Sequence, residues 1–60
     1  MMLKEFREAK KKTQAEIASR MNVSQQAIAK WENENSLPRA DKLVQLAKIL
    51  DCTVDELLNG

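Results

Sequence analysis

A chain of 60 residues has the length of one domain, near the lower limit at which a core can be buried. It is 43% hydrophobic and 32% charged, and a net charge of +1 does not by itself indicate a nucleic-acid partner. It has no His, one Cys and one Gly, so it lacks the usual neutral-pH acid/base group, a thiolate metal cluster and a Gly-rich phosphate loop. We therefore expect no enzyme, no metal and no cofactor.

The charges are unevenly distributed. All ten Lys and Arg lie in residues 1–50 with six acids, whereas residues 51–60 carry three acids and no base. The excess of positive charge in residues 1–50 is compatible with a polyanion partner. It is equally compatible with ordinary helix faces that are exposed to solvent. Because no apolar run approaches the ~20 residues of a membrane span, and no disulfide framework is present, we expect a cytoplasmic protein without a membrane partner.

The first two predicted helices occupy residues 3–21. Scarce Gly, Pro and aromatic residues favour helix over sheet. Leu3, Phe6 and Arg7 open a helix that we expect to continue through Lys10–Lys12. Thr13–Glu16 has the pattern of a capping box, in which the first hydroxyl accepts the fourth backbone N–H. The apolar stripe of the second helix, followed by an Asn suited to left-handed backbone, consists of Ile17, Ala18, Met21 and then Asn22.

The third predicted helix follows Ser24, a good N-cap residue. Ile28 and Trp31 lie three residues apart on its inner face, so we interpret both as core residues. Its outer face carries Gln25, Gln26, Ala29 and Lys30.

The fourth and fifth predicted helices follow Pro38. The fourth has the clearest amphipathic pattern in the chain, given by Leu43, Leu46, Ala47 and Leu50. Thr53–Glu56 predicts a second capping box for a short final helix. We expect its apolar residues to form an exposed patch that serves a homodimer or another partner: Val54, Leu57 and Leu58.

The second and third helices are joined by about three residues. Small or apolar residues flank this joint at fixed positions in the sequence. A small residue at Ala18 lets the helices cross closely, and Asn22 turns the chain sharply. This spacing predicts a helix-turn-helix at about residues 14–33, whose second helix can enter a major groove.

These residues resemble the Cro- and phage-repressor-type (XRE-type) helix-turn-helix family over nearly the whole chain. The matching segments are Thr13–Ala18 ("TQxxLA"), Val23-Ser24, Trp31–Asn33 ("[WY]EN") and Thr53–Leu58. The resemblance implies an all-α, compact five-helix, lambda-repressor-like fold for a single domain at 1–60. The family's usual Gly-Leu before Thr13 is here Lys11-Lys12, and its Gly after Asn33 is Glu34.

The resemblance also implies roles for individual residues. Gln14 would bind a phosphate and brace Gln25, while Arg7 and Glu32 would form a structural ion pair. A Gln amide suits adenine and a Lys suits guanine, so Gln25, Gln26 and Lys30 are the expected base contacts. The expected phosphate contacts are Gln14, Ser24, Asn33, Asn35, Lys10 and Arg39. The structural set consists of Arg7, Glu32, Ala18, Ile28 and Trp31.

These expectations together describe a transcriptional regulator that binds double-stranded operator DNA. We expect a repressor that acts as a homodimer on a pseudo-palindromic site, because one such domain offers few base contacts. The alternative is an antitoxin-like or coactivator-like module that uses the same fold to bind a protein partner. Salt-sensitive binding to random duplex DNA would distinguish the two.

Overall fold

A computed structural model describes residues 1–33 and 36–59 of the chain, and within those residues it contains helices and no strand. The all-α prediction with five helices is therefore confirmed. The helices are α1 (Leu3–Ala9), α2 (Gln14–Met21), α3 (Gln25–Asn33), α4 (Ala40–Leu50) and α5 (Val54–Asn59).

The end of α1 differs from the prediction. The helix stops at Ala9 instead of running through Lys10–Lys12, and Lys11 has a left-handed backbone with φ 56°. The chain turns here before it enters α2, and the Arg7 side chain stabilises the turn because its Nη1 donates to the Lys12 carbonyl at 2.8 Å. Lysine is a good helix former, so local propensity gave no sign of this turn.

The start of α2 has the predicted capping box. The backbone N–H of Glu16 donates to Thr13 Oγ1 at 3.0 Å, and the backbone N–H of Thr13 donates to Glu16 Oε1 at 2.8 Å. These two bonds satisfy N–H groups that have no partner inside the helix. The bond from the Thr13 backbone N–H to the Glu16 carboxylate also lowers the pKa of Glu16, because it favours the charged form.

The turn between α2 and α3 also forms as the sequence predicts. Asn22 ends α2 with φ 57° and ψ 43°, and the next backbone N–H, that of Val23, donates to the Ala18 carbonyl at 3.0 Å. The Ser24 hydroxyl then accepts the backbone N–H of Ala27 at 3.1 Å and caps α3. The joint between the two helices is therefore fixed by hydrogen bonds at both ends.

The core lies where α2 packs against α3 and α4, with α1 and α5 closing its sides. Each fully buried aliphatic side chain contributes about 1.5–3 kcal/mol relative to exposure. Trp31, Phe6 and Leu43 are half-buried and pack against this cluster. Its largest fully buried members are Leu3, Ile17, Ile28, Leu46, Leu50 and Leu57.

The predicted apolar patch on α5 is wrong. Leu57 is fully buried, and its carbonyl accepts the Met2 backbone N–H at 2.7 Å, so α5 folds back onto the start of the chain. Val54 and Leu58 are only half-buried. The large hydrophobic side chains that are exposed among the described residues lie elsewhere, at Leu37 and Val44.

The second predicted capping box forms at α5. The backbone N–H of Glu56 donates to Thr53 Oγ1 at 3.0 Å, and the backbone N–H of Thr53 donates to Glu56 Oε1 at 2.9 Å. Cys52, just before it, is half-buried, and burial followed by the charges of Glu56 and Asp51 raises the pKa of its thiol. A thiol with a raised pKa is a weak nucleophile at neutral pH. Across residues 1–33 and 36–59, none of the helices has the length and apolar content needed to cross a bilayer.

Candidate nucleic-acid interface

The outer face of α3 carries polar side chains in the open. Gln25, Gln26 and Lys30 are exposed, while Ile28, between them in the sequence, is fully buried. Packing of the inner stripe orients α3, because only one rotation of the helix buries Ile28 and half of Trp31 together. The two amides and one ammonium of the outer face are thereby presented to solvent.

The N-terminal end of α3 adds to this face. Its first turn carries no acidic residue, and Ser24 accepts only one of the unpaired backbone N–H groups there. A helix N-terminus attracts anions through such N–H groups and through the helix dipole. The phosphate contact predicted for Ser24 thus falls at a position with the appropriate electrostatics.

Behind the outer face, Arg7 of α1 and Glu32 of α3 form an ion pair. Arg7 Nε donates to Glu32 Oε2 at 2.6 Å and Arg7 Nη2 donates to Glu32 Oε1 at 3.2 Å. The two side chains are only 12% and 1% exposed, so solvent screens the pair weakly. This two-pronged contact ties α1 to the C-terminal half of α3.

The charge of Glu32 depends on its partners. Burial alone would raise the pKa of Glu32, but hydrogen bonds from Arg7 and Gln14 and the positive charge of Arg7 outweigh it, so the pKa lies below its ordinary value. The same pair raises the pKa of Arg7, chiefly through its hydrogen bond to Glu32. Glu32 is therefore an ionised carboxylate at neutral pH, with both oxygens accepting hydrogen bonds.

Gln14, the first residue of α2, joins this ion pair to the outer face. Its Nε2 donates to Glu32 Oε1 at 2.9 Å, and its Oε1 accepts from Gln25 Nε2 at 3.5 Å. The second contact is at the long end of the hydrogen-bonding range. A continuous series of contacts thus runs from Arg7 through Glu32 and Gln14 to Gln25.

The remaining predicted phosphate contacts are more scattered. Asn33 is exposed at the end of α3, and Arg39 is exposed at the N-cap of α4, where its side chain makes no cap hydrogen bond. Lys10 lies beside the turn between α4 and α5, with its Nζ 3.7 Å from Asp51 Oδ2. The position of Asn35 lies outside the described residues.

One contact in this region is absent from the sequence-based expectations. The bond between Gln14 and Glu32 connects residues 18 positions apart, and no local pattern points to it. The two ends were expected separately, as a Gln14 brace on Gln25 and an Arg7 pair with Glu32. The sequence offers one signal for this contact, namely an acid near the end of α3 together with an amide at the start of α2.

This surface presents hydrogen-bonding groups to solvent. Two amides, an ammonium and the uncapped N–H groups at the start of α3 offer donors and acceptors, and among the described residues no cluster of three or more His, Cys, Asp or Glu is placed to hold a metal ion. Such groups suit the edges of bases and the oxygens of phosphates.

Comparison with known proteins supports the resemblance drawn from the motifs. The family model described as helix-turn-helix matches residues 3–57. The chain is 38% identical over 58 residues to the HTH-type transcriptional activator BcrR of Enterococcus faecalis, covering 97% of this chain and 28% of that protein. It is 48% identical over 40 residues to the 26 kDa repressor protein of Escherichia phage HK022, covering 67% of this chain and 17% of that protein.

A third relative is the cryptic phage CTXphi transcriptional repressor RstR of Vibrio cholerae, 37% identical over 51 residues, with 85% of this chain and 46% of that protein covered. The chain thus spans less than half the length of each of these three relatives. No solved structure matches the chain significantly.

Proposed function

Because the chain belongs to the XRE-type helix-turn-helix family, whose model matches residues 3–57, we propose that it is a sequence-specific DNA-binding transcriptional regulator. The main support is the exposed outer face of α3. Gln25, Gln26 and Lys30 lie on this face, and the opposite side of the helix is packed in the core. A rigid helix with polar residues along one face is suited to enter a major groove.

The outer face of α3 would contact the base edges. A Gln amide pairs with adenine through its oxygen and one N–H, and the Lys30 ammonium suits the acceptors of guanine. Gln25 and Gln26, at the start of α3, would reach bases directly, with Lys30 one turn farther along. The N-terminal residues of a recognition helix are those that approach the base edges most closely.

Phosphate contacts would hold α3 in register. Gln14 and Ser24 flank the N-terminus of α3, Asn33 follows at its other end, and Arg39 stands exposed at the start of α4. We also assign such contacts to Asn35, from the family resemblance, and to Lys10, which would have to exchange Asp51 for a phosphate. Such contacts set affinity and its salt dependence more than sequence preference.

The size of this domain favours two copies on one operator. Its Cα atoms extend 24 Å along the longest principal axis, whereas half-sites one helical turn apart are separated by about 34 Å. One copy of residues 1–60, acting as a single DNA-binding domain, would read one half-site, and a homodimer would read a pseudo-palindrome. Two of the relatives above are named repressors and one an activator, and we propose repression by occlusion of a promoter.

Selection of bound fragments from a random pool of duplex DNA tests this function. A symmetric motif with half-sites one helical turn apart is the expected result. Affinity for random duplex should also fall steeply with salt, since bound phosphates release counterions. A pool that yields no motif, together with no salt-sensitive binding at low ionic strength, would contradict DNA reading and favour the protein-interaction module.

A further inference from the structure

The contacts behind α3 combine groups of different hydrogen-bonding capacity. The Arg7 guanidinium can only donate, the ionised Glu32 carboxylate can only accept, and the amides of Gln14 and Gln25 can do both. An amide beside an obligate acceptor must turn its nitrogen toward it. Each amide in the series therefore has its orientation set by the group behind it.

This rule decides which atom of each glutamine faces which neighbour. Glu32 Oε1 takes the Nε2 donor of Gln14 at 2.9 Å, so Gln14 turns its Oε1 toward Gln25. Gln25 must then turn its own Nε2 toward Gln14. Its Oε1 and its second N–H remain for a ligand, which is the acceptor and donor pair that adenine requires.

From this arrangement we infer that Glu32 is a positioning residue, which fixes the amide orientation of Gln25 through Gln14 and thereby its preference for adenine. The inference rests on the proposed function, in which Gln25 meets a base edge. Glu32 itself would touch no DNA. It would act on base choice through two hydrogen bonds.

Packing does not supply this orientation. Gln25 is exposed, so its amide could turn over freely if nothing beyond its neighbours in α3 restrained it. The Glu32 side chain, by contrast, is 1% exposed and held at 2.6 and 3.2 Å by Arg7. A reversed Gln14 would set its carbonyl oxygen against a buried carboxylate oxygen, which is strongly unfavourable.

The substitution Glu32→Gln removes the obligate acceptor, because an amide can present either its oxygen or its nitrogen to Gln14. The new oxygen can face Gln14 and Arg7 Nη2, or it can face Arg7 Nε, which makes the shortest contact with Glu32. In the second orientation the new amide nitrogen faces Gln14. Gln14 then turns its oxygen inward and its nitrogen toward Gln25. Gln25 accepts with its oxygen and presents only N–H groups, which suit the acceptors of guanine.

The measurement is the ratio of affinities for two duplexes, the selected operator and its adenine-to-guanine version. The base pair that differs between the two duplexes is the one at which the Gln25→Ala variant loses the base preference of the wild type. For Glu32→Gln we expect the adenine-to-guanine ratio to fall on the order of tenfold. The ratio at the position read by Gln26 should stay as in the wild type. Equal weakening on both duplexes would overturn the inference, because a merely structural role predicts it.

Two further variants keep the test decisive if Glu32→Gln folds poorly. Gln14→Met retains side-chain length and the Arg7–Glu32 pair but removes the link, so the adenine preference should fall without a gain for guanine. Arg7→Lys keeps Glu32 as an obligate acceptor, so the ratio should be retained. A retained adenine preference in Gln14→Met would contradict the inference.

A measurement on the free protein separates this inference from the proposed function. The side-chain NH2 resonances of Gln14 and Gln25 should both respond when acid protonates Glu32, and Gln14→Met should abolish the response of Gln25. No response at Gln14 overturns the role of Glu32 even if the protein reads DNA. A selection without a motif instead overturns base reading, and with it the adenine preference.

Discussion

The two faces of α3 are held by different forces. On the inner face, Ile28 is fully buried and Trp31 half-buried in a core to which all five helices contribute. On the outer face, Gln25 and Gln26 are exposed, and Gln25 has a contact of 3.5 Å to Gln14. Packing therefore fixes where the helix lies, whereas hydrogen bonds fix which atoms its outer face presents.

The largest effect should come from the inner face. Ile28→Ala removes three carbons from a fully buried position, and we expect it to lower the free energy of unfolding by about 2–5 kcal/mol. Urea unfolding followed by circular dichroism measures this loss. Lys30→Ala, an outer-face control, should change stability by less than about 0.5 kcal/mol. Similar losses in the two variants would remove the distinction between the faces.

The Arg7–Glu32 ion pair beneath the outer face should make the free energy of unfolding depend on pH in the acidic range. Because folding lowers the pKa of Glu32, its contribution to stability is complete above the ordinary glutamate pKa of about 4.3 and is lost as pH falls through the lowered value. Glu32→Gln should therefore lose less stability between pH 7 and pH 3 than the wild type does.

Arg7→Met provides the opposing control for that pH profile. Without the cation of Arg7, burial dominates and raises the pKa of Glu32. The contribution of Glu32 to the variant's free energy of unfolding should therefore increase as pH falls. Thermal unfolding at several pH values measures both variants. Parallel profiles for the wild type and Glu32→Gln would show that Glu32 does not carry this acid dependence.

A smaller effect should separate stability from DNA affinity at α4. Arg39 occupies the N-cap, but a guanidinium has no acceptor for the helix N–H groups. Arg39→Ser supplies one and should stabilise the protein by about 1 kcal/mol relative to Arg39→Ala. Both variants lose the same charge, so both should weaken binding to every duplex and reduce the salt slope by about 1. Equal stability of the Ser and Ala variants would contradict the cap, and an unchanged salt slope would contradict the phosphate contact.

The fold could be predicted where its determinants are local. Two Thr–Glu capping boxes, the left-handed Asn22 and the apolar stripe of α2 depend on residues within one or two helical turns, and all appear as expected. The end of α1 and the burial of Leu57 were mispredicted for different reasons. The end of α1 involves a bond from the Arg7 side chain to the Lys12 carbonyl, which helix propensity does not encode. Leu57 is buried where its carbonyl accepts from the distant Met2, and no local pattern indicates that contact.

The candidate site shows the same limit. Spacing identifies which residues of α3 face outward, because that follows from the helical period and the buried stripe. It does not show that Glu32 meets Gln14 across two helices, since 18 residues and a turn separate them. Which residues contact DNA stays a prediction, as does the base that each one prefers.

Matched alanine variants test whether the outer face of α3 reads bases. Gln25→Ala, Gln26→Ala and Gln45→Ala each remove one exposed amide, but Gln45 lies on α4. Binding to the selected operator, its single-base variants and random duplex should show a loss of about 1–3 kcal/mol at one base position for each α3 variant, and none for Gln45→Ala. Equal losses on operator and random duplex for the α3 variants, or a loss in Gln45→Ala as large as theirs, would contradict base reading by this face.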